Sequence, residues 1–292
     1  MTQFKINKKE FAEFLKKCMF NGTIKFRDGK AVNKPMFSCF YLDVDENQLE
    51  VLAIDTWRKK VRLNVIKSGV EVGEPGVITI QDPQIILDIL NGKGLGKSAE
   101  ITVRTDGIKL LIESDTDGYE IKQKNNKDIK ILQTEKFIKQ LTGWKSTHFE
   151  NEDGLVQANL IDPKTKQKVT LTFDTKIEVD KEELLKVVDD AINITKDNKT
   201  KIVIENKFLN IFKGEANSKV KSVHSIPFKA LSEAILNFSN DFYNMQTIIP
   251  NLYDKIIFNI RRIATNDSIA LQIASEDPKS KIKVVVAIAS IV

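Results

Sequence analysis

The sequence predicts an α+β fold of two similar domains, each assembled from two helix-plus-three-strand units with the helices on one face of antiparallel sheets. Three observations carry this. Leu49, Val51 and Ala53, then Val61, Leu63 and Val65, alternate with their neighbours in the period-two pattern of half-buried strands. Before them, Phe11, Phe14, Leu15 and Cys18 recur at helical spacing. The order of a helix followed by three strands then repeats along 292 residues, enough chain for two cores.

The elements follow in order. Phe4-Lys5-Ile6 reads as a short strand, Asn7 as a helix cap, and Lys8 to Met19 as the first helix. Residues 21–35 hold turn formers and read as an irregular excursion with a strand at Thr23 to Phe26. Strands at Phe37 to Val44 and within Asn47 to Ile66 complete the first unit. Gly76 to Ile80 is a strand, and Asp82-Pro83 starts a helix whose Ile85, Ile86, Ile89 and Leu90 share a face. Strands Glu100 to Arg104, Gly107 to Ser114 and Tyr119 to Lys124 follow, separated by Asp-Gly turns. The third unit comprises a strand at Lys168 to Val179, a helix at Lys181 to Ile194, and strands at Lys201 to Glu205, Phe208 to Gly214 and Ser218 to His224. The fourth has a helix at Phe228 to Phe238 and strands at Lys255 to Ile263, Ser268 to Ser275 and Lys281 to Ile291, with residues 239–254 as a short helix or loop. This sets an N-terminal domain at 1–124, a connector at 125–167 and a C-terminal domain at 168–292.

Composition narrows the chemistry. The chain is 41% hydrophobic and 29% charged, as expected of a folded globular protein. No apolar run approaches the ~18 residues of a membrane span, and MTQFKINKKE has no signal-peptide core, so a cytoplasmic protein is expected. Cys18 and Cys39 lie among apolar neighbours and read as reduced, buried thiols. Gly92-Lys93-Gly94-Leu95-Gly96-Lys97-Ser98 ends like a phosphate-binding loop. That loop needs glycine where Asn91 stands, and it lies between a strand and a helix, whereas here a helix precedes and a strand follows. The two histidines, His148 and His224, are too few for a histidine-based zinc site. Asp43, Asp45 and Asp55 could supply a metal-binding cluster, but Asp43 and Asp45 flank a turn into Glu46-Asn47, where acidic residues serve turn geometry, and no serine or cysteine carries a nucleophile signature. The expectation is a non-enzyme without cofactor or metal.

Leu49-Glu50-Val51-Leu52-Ala53-Ile54-Asp55 is similar to the strand ending in Ala-Met-Asp of sliding DNA clamps of the proliferating cell nuclear antigen type. Asp180 to Asn193 followed by Lys201 to Gly214, and the end Lys281 to Val292, support the resemblance. It covers nearly the whole chain apart from residues 21–35, 125–167 and 239–254. It implies a subunit that closes head-to-tail into a homotrimeric ring around double-stranded DNA without reading its sequence, tethers DNA polymerase and is opened by a clamp loader. The helices would line the hole. Ring closure would use edge strands, with Lys109 to Ser114 expected at the junction.

A ring that slides needs cations facing phosphate rather than base-edge contacts. On the first helix, the face opposite the apolar stripe carries Lys9, Glu13, Lys16 and Lys17, and Lys93 and Lys97 follow the second helix. The third helix offers Lys186 among Glu182, Asp189 and Asn193, the fourth Lys229 with Glu233, and the second has Asp88. Lys213 joins Lys207, Lys219 and Lys221 on strands and turns, so the lining should be weakly basic. The resemblance also implies an apolar pocket for partner peptides at Ile54, the connector near Ile131 and Leu132, and Ala289 to Ile291, rimmed by Trp57. A second reading is a clamp-like scaffold that binds partners without closing a ring.

Overall fold

In the computed structural model of the protein, β1 (Thr2–Asn7) runs straight into α1 (Lys8–Met19), because Asn7 both ends the strand and caps the helix. Its Oδ1 accepts from the backbone N–H of Lys9 at 2.9 Å and of Glu10 at 3.4 Å, satisfying donors that a helix start leaves open. The structure describes residues 1–25, 31–35, 39–54, 61–92, 94–123, 148–150, 152, 156–161, 165, 167–173, 175–186, 199–205, 208–213, 222–227, 229–230, 234–239, 248–263 and 268–289. The chain divides into two compact units, Met1–Ile138 with Glu276–Val285 and Lys139–Ser275 with Val286–Val292.

After α1 the first unit continues with β2 (Asn21–Lys25), β3 (Ala31–Pro35), β4 (Phe40–Asp45), β5 (Gln48–Ile54), β6 (Val61–Ser68), β7 (Glu71–Glu74) and β8 (Gly76–Ile80). Then come α2 (Pro83–Asn91), β9 (Glu100–Thr105), β10 (Lys109–Glu113) and β11 (Gly118–Lys122). The expected excursion at 21–35 is a regular hairpin, β2 paired with β3 from Asn21↔Pro35 to Lys25↔Ala31. One antiparallel sheet has the order β11-β10-β9-β1-β7, and β6-β5-β4-β8 form a second layer. α1 packs against α2, β1 and β6.

The expected apolar stripe is the core. Phe4, Phe11, Phe14, Leu15 and Cys18 are fully buried, and the Phe4 and Phe11 rings meet edge-on at 5.5 Å. Each such phenylalanine contributes about 2–3 kcal/mol by leaving water. In α2 the buried set is Pro83, Ile86, Leu87 and Leu90, an i, i+3, i+4, i+7 stripe. Ile85, expected on that face, is instead 45% exposed.

The second unit begins with β12 (His148–Glu150), β13 (Val156–Ile161) and β14 (Lys168–Thr172), a three-stranded sheet. β15 (Thr175–Asp180) follows, then helical residues 181–186. The strand expected at Lys168 to Val179 is thus two strands of different sheets. They part where Phe173 donates its N–H to Val156 O and buries its ring against Val156. Next are β16 (Lys199–Glu205), β17 (Phe208–Lys213), β18 (Ser222–Pro227), β19 (Lys229–Ala230) and β20 (Ala234–Ser239). A 3-10 turn (Ile249–Asn251) precedes β21 (Lys255–Ile263), β22 (Ser268–Asp277) and β23 (Ile282–Ala289). One sheet runs β18-β17-β16-β20, and β19-β15-β21-β22-β23 are neighbours in another.

The two units repeat one plan. β16 lies between β17 and β20 as β4 lies between β5 and β8, and β15 lies between β19 and β21 as β1 lies between β7 and β9. Registers agree as well: cap residue Asn7 faces Glu100, the first residue of β9, and cap residue Asp180 faces Lys255, the first residue of β21. This overturns the helix expected at Phe228 to Phe238. Ala234–Ser239 is the counterpart of β8, pairing from Ala234↔Ile204 to Ser239↔Lys199 along an edge of β16 that would otherwise stand open. Its apolar run satisfies both helical and strand periods, and pairing decides. The position that α2 holds in the first unit corresponds in the second to the chain between β20 and β21, where the 3-10 turn Ile249–Asn251 is described. The edge strand also differs from expectation: β10 is paired on both sides, and among the described residues the outer strands of this sheet are β11 and β7.

Candidate nucleic-acid interface

α1 presents Lys9 and Lys16 to solvent, with Glu13 and Lys17 half-buried beside them. The polarity of this face is set by what lies beneath it. Glu10, on the side toward the sheet, pairs at 2.9 Å with the ammonium of Lys67, which is only 2% exposed and also donates to Ser68 O at 2.8 Å. A lysine reaching up from β6 thus neutralises the carboxylate that would offset the helix's outward cations.

The turn after α2 adds Lys97, which is exposed. Its position is fixed from two sides. Nζ of Lys8 donates to Gly96 O at 3.3 Å, and Lys8 N–H to Ala99 O at 2.8 Å. From the other side, the Tyr119 hydroxyl of β11 occupies the space where a side chain on Gly94 would lie, while Gly96 sits at φ +59° beside Thr116 and Asp117. Ser98 Oγ donates to Glu100 O at 2.8 Å. The glycines and serine that mimic a phosphate loop are accounted for by this packing, and the helix-before, strand-after order stands as expected.

The second unit repeats the clasp with different charges. Asp180 Oδ1 accepts from Glu182 N–H at 2.9 Å and Glu183 N–H at 3.4 Å, as Asn7 does in the first unit. Lys181 stands where Lys8 does: its N–H donates to Asp254 O at 2.8 Å, and its Nζ to Leu252 O at 2.7 Å and Pro250 O at 3.1 Å. Beyond it, Glu182, Glu183 and Lys186 are exposed and Leu184 is buried. Sequence reasoning missed both clasping lysines and Lys67. The signal was present as Asn7-Lys8-Lys9-Glu10 and Asp180-Lys181-Glu182-Glu183, a cap followed at once by lysine at the head of each first helix.

The structure therefore brings Lys9, Lys16, Lys17 and Lys97 to the surface of one unit and places Lys186 on the other. Lys213 ends β17, and Lys229 begins β19 rather than riding a helix, for the pairing reason given above. Ile54 is the last residue of β5 and Ala289 the last of β23. Their side chains, those of Lys213 and Lys229, and Lys93, Trp57, Ile131, Leu132 and Ile291 lie outside the described residues.

Other chemistry has little footing among the described residues. They contain no group of three His, Cys, Asp or Glu placed to hold a metal. Both cysteines are free thiols, and burial pushes Cys39 up to about 12 and Cys18 well above the usual range, so neither supplies a thiolate at neutral pH. No helix among the described residues is long and apolar enough to cross a membrane.

No protein-family model matches the sequence, and no curated protein matches it. Solved structures do match. The proliferating cellular nuclear antigen of Entamoeba histolytica superposes over 100% of this chain and 99% of its own, with a TM-score of 0.56 at 12% identity. The A. fulgidus PCNA solved with the C-terminal region of FEN-1 bound gives the same coverage, a TM-score of 0.58 and 14% identity. At such identities the likeness is one of fold, and the fold is that of the PCNA-like sliding clamps.

Proposed function

We propose, with the sliding-clamp fold as premise, that the protein is a DNA sliding clamp: a ring subunit that encloses duplex DNA and tethers DNA polymerase and other DNA-acting proteins to it. The observation that carries the proposal is the end-to-end match of the fold, together with the outward cations of α1. The mechanism is topological. A closed ring cannot leave an unbroken duplex, so any protein held on the ring stays with its template, and no bond is made or broken. This reading needs no catalytic residue and no cofactor, and it places the protein with DNA in the cytoplasm or nucleoid.

The lysines of the helix faces and adjoining turns meet phosphate, and each contact is loose enough to exchange as the ring moves. Partner peptides dock around Ile54, Trp57, Ile131, Leu132, Ala289 and Ile291. Ring closure is head-to-tail, joining the free edge of β11 in one subunit to an edge of the β18-β17-β16-β20 sheet in the next, for a homotrimer. Opening such a ring calls for a separate loader.

The test is absolute mass in solution by light scattering, followed by retention on circular and linearised duplex. A mass of three subunits with retention on the circle and loss from free ends is the expected result. A monomer at every concentration, retained on neither form, overturns it. The acidic Glu182 and Glu183 favour a second reading, a scaffold of the same fold that binds partners without enclosing DNA. A monomer that still captures a DNA-replication protein would select it.

A further inference from the structure

The internal repeat lets the same positions be compared in the two units. Asn7 and Asp180 are equivalent caps, so Lys9 and Glu10 correspond to Glu182 and Glu183, and Glu13 corresponds to Lys186. In the first unit the one carboxylate of the pair, Glu10, is held by buried Lys67, and the helix turns Lys9 and Lys16 outward. In the second, the ammonium of Lys181 is taken by the carbonyls of Pro250 and Leu252, and Glu182 and Glu183 face solvent with Lys186. The clasped turns differ in the same sense. Gly92 to Ser98 carries Lys93 and Lys97, whereas Ile249 to Asp254 carries no lysine or arginine. Among the described residues, the outward groups at the head of the helix and in the clasped turn are thus led by lysines in the first unit and by carboxylates in the second.

We infer that duplex phosphates are engaged by the first unit alone, through Lys9, Lys16 and Lys97, and that the matching face of the second unit is a non-binding wall. This rests on the clamp reading and narrows it. Phosphate attraction is local, since salt screens charges beyond about 8 Å under physiological conditions, and a surface led by two carboxylates repels the polyanion that its counterpart attracts. The duplex is then held on one side of each subunit by a few exchangeable contacts. Holding is weak and strongly salt-dependent, which suits a ring that must slide.

Binding of the full chain to a short blunt duplex, followed by fluorescence anisotropy across a salt series, tests this. Lys9→Ala/Lys16→Ala should lose about tenfold in affinity at low salt and lower the slope of log affinity against log salt by about two. Glu182→Gln/Glu183→Gln should bind within about twofold of the unaltered protein. All four side chains are surface groups, and melting temperature checks that both variants fold. If the glutamine pair tightens binding as much as the alanine pair was expected to weaken it, or the alanine pair changes nothing, the assignment to the first unit is overturned and the clamp reading stands. If the unaltered protein does not bind the duplex at low salt, this assignment is overturned, while the clamp reading stands or falls separately on mass in solution and retention on circular duplex.

Discussion

Lys67 and Glu10 form a pair whose two members are not equal in cost. The lysine is buried and the glutamate is half-exposed, so losing one partner differs from losing the other. Lys67→Met fills the same space with an apolar chain and lets Glu10 turn to water, and should change stability by no more than about 1 kcal/mol. Glu10→Ala leaves an ammonium under the helix without its counter-ion and should cost about 3 kcal/mol. Chemical denaturation of the two variants checks this order, and equal losses would refute it. Asp106 gives a pH-dependent prediction at the same scale. Its carboxylate accepts from Ile108 N–H at 2.8 Å and Lys109 N–H at 2.9 Å, and these bonds hold it below the usual carboxylate range. A depressed carboxylate stabilises above its unfolded pKa of about 3.9, and the contribution fades as pH falls through the lower folded value. Amide exchange at Ile108 and Lys109 should lose protection below about pH 4, and Asp106→Asn should remove that pH dependence.

At the scale of elements, the turn after α2 shows how two strands and two helices are registered by small contacts. Gly94→Ala pushes against the Tyr119 hydroxyl, and because Tyr119 is partly exposed its ring can swing aside, at a cost of about 1 kcal/mol. In a Tyr119→Ala background the same change should cost far less, so a double-mutant cycle should show coupling between the two residues. Legibility varied by element for physical reasons. β4, β5, β6, β8 and the strands at 255–289 were visible because alternation and burial agree, as did the stripe of α1. Ala234–Ser239 was misread because its short apolar run fits a helix as well as a strand, and only the open edge of β16, far away in sequence, arbitrates. The break at Phe173 was invisible for a similar reason: the residue that splits β14 from β15 is anchored by Val156 from another strand. In α2, Ile85 and Leu87 have equal hydrophobicity, and the packing partner alone decides which faces inward.

For the whole molecule, the plan of two similar units was legible from element order, whereas the candidate interface was legible only in part. Lysines on α1 could be assigned to a face because the helix period fixes them. The charge reversal between units emerged only once Lys8 and Lys181 aligned the repeats. Assembly tests the plan directly. Along an antiparallel strand alternate N–H groups face opposite sides, so proline placed in turn at Glu120 and Ile121 removes an outward donor from β11 in one of the two variants. If the proposed trimer closes through β11, that variant should be a monomer by light scattering while the other variant stays assembled. If both variants keep the mass of the unaltered assembly, β11 is not the joining edge.

The segment Glu276–Val285 belongs to the first unit, and within it Lys281 O receives the N–H of Ser68 at the end of β6 at 3.1 Å. During synthesis the chain up to β11 therefore emerges with the edge of β6 still uncovered, and its complement is translated only after almost all of the second unit. The half of the protein made first is thus completed only near the end of synthesis, so a nascent chain stalled before Lys281 leaves the edge of β6 open.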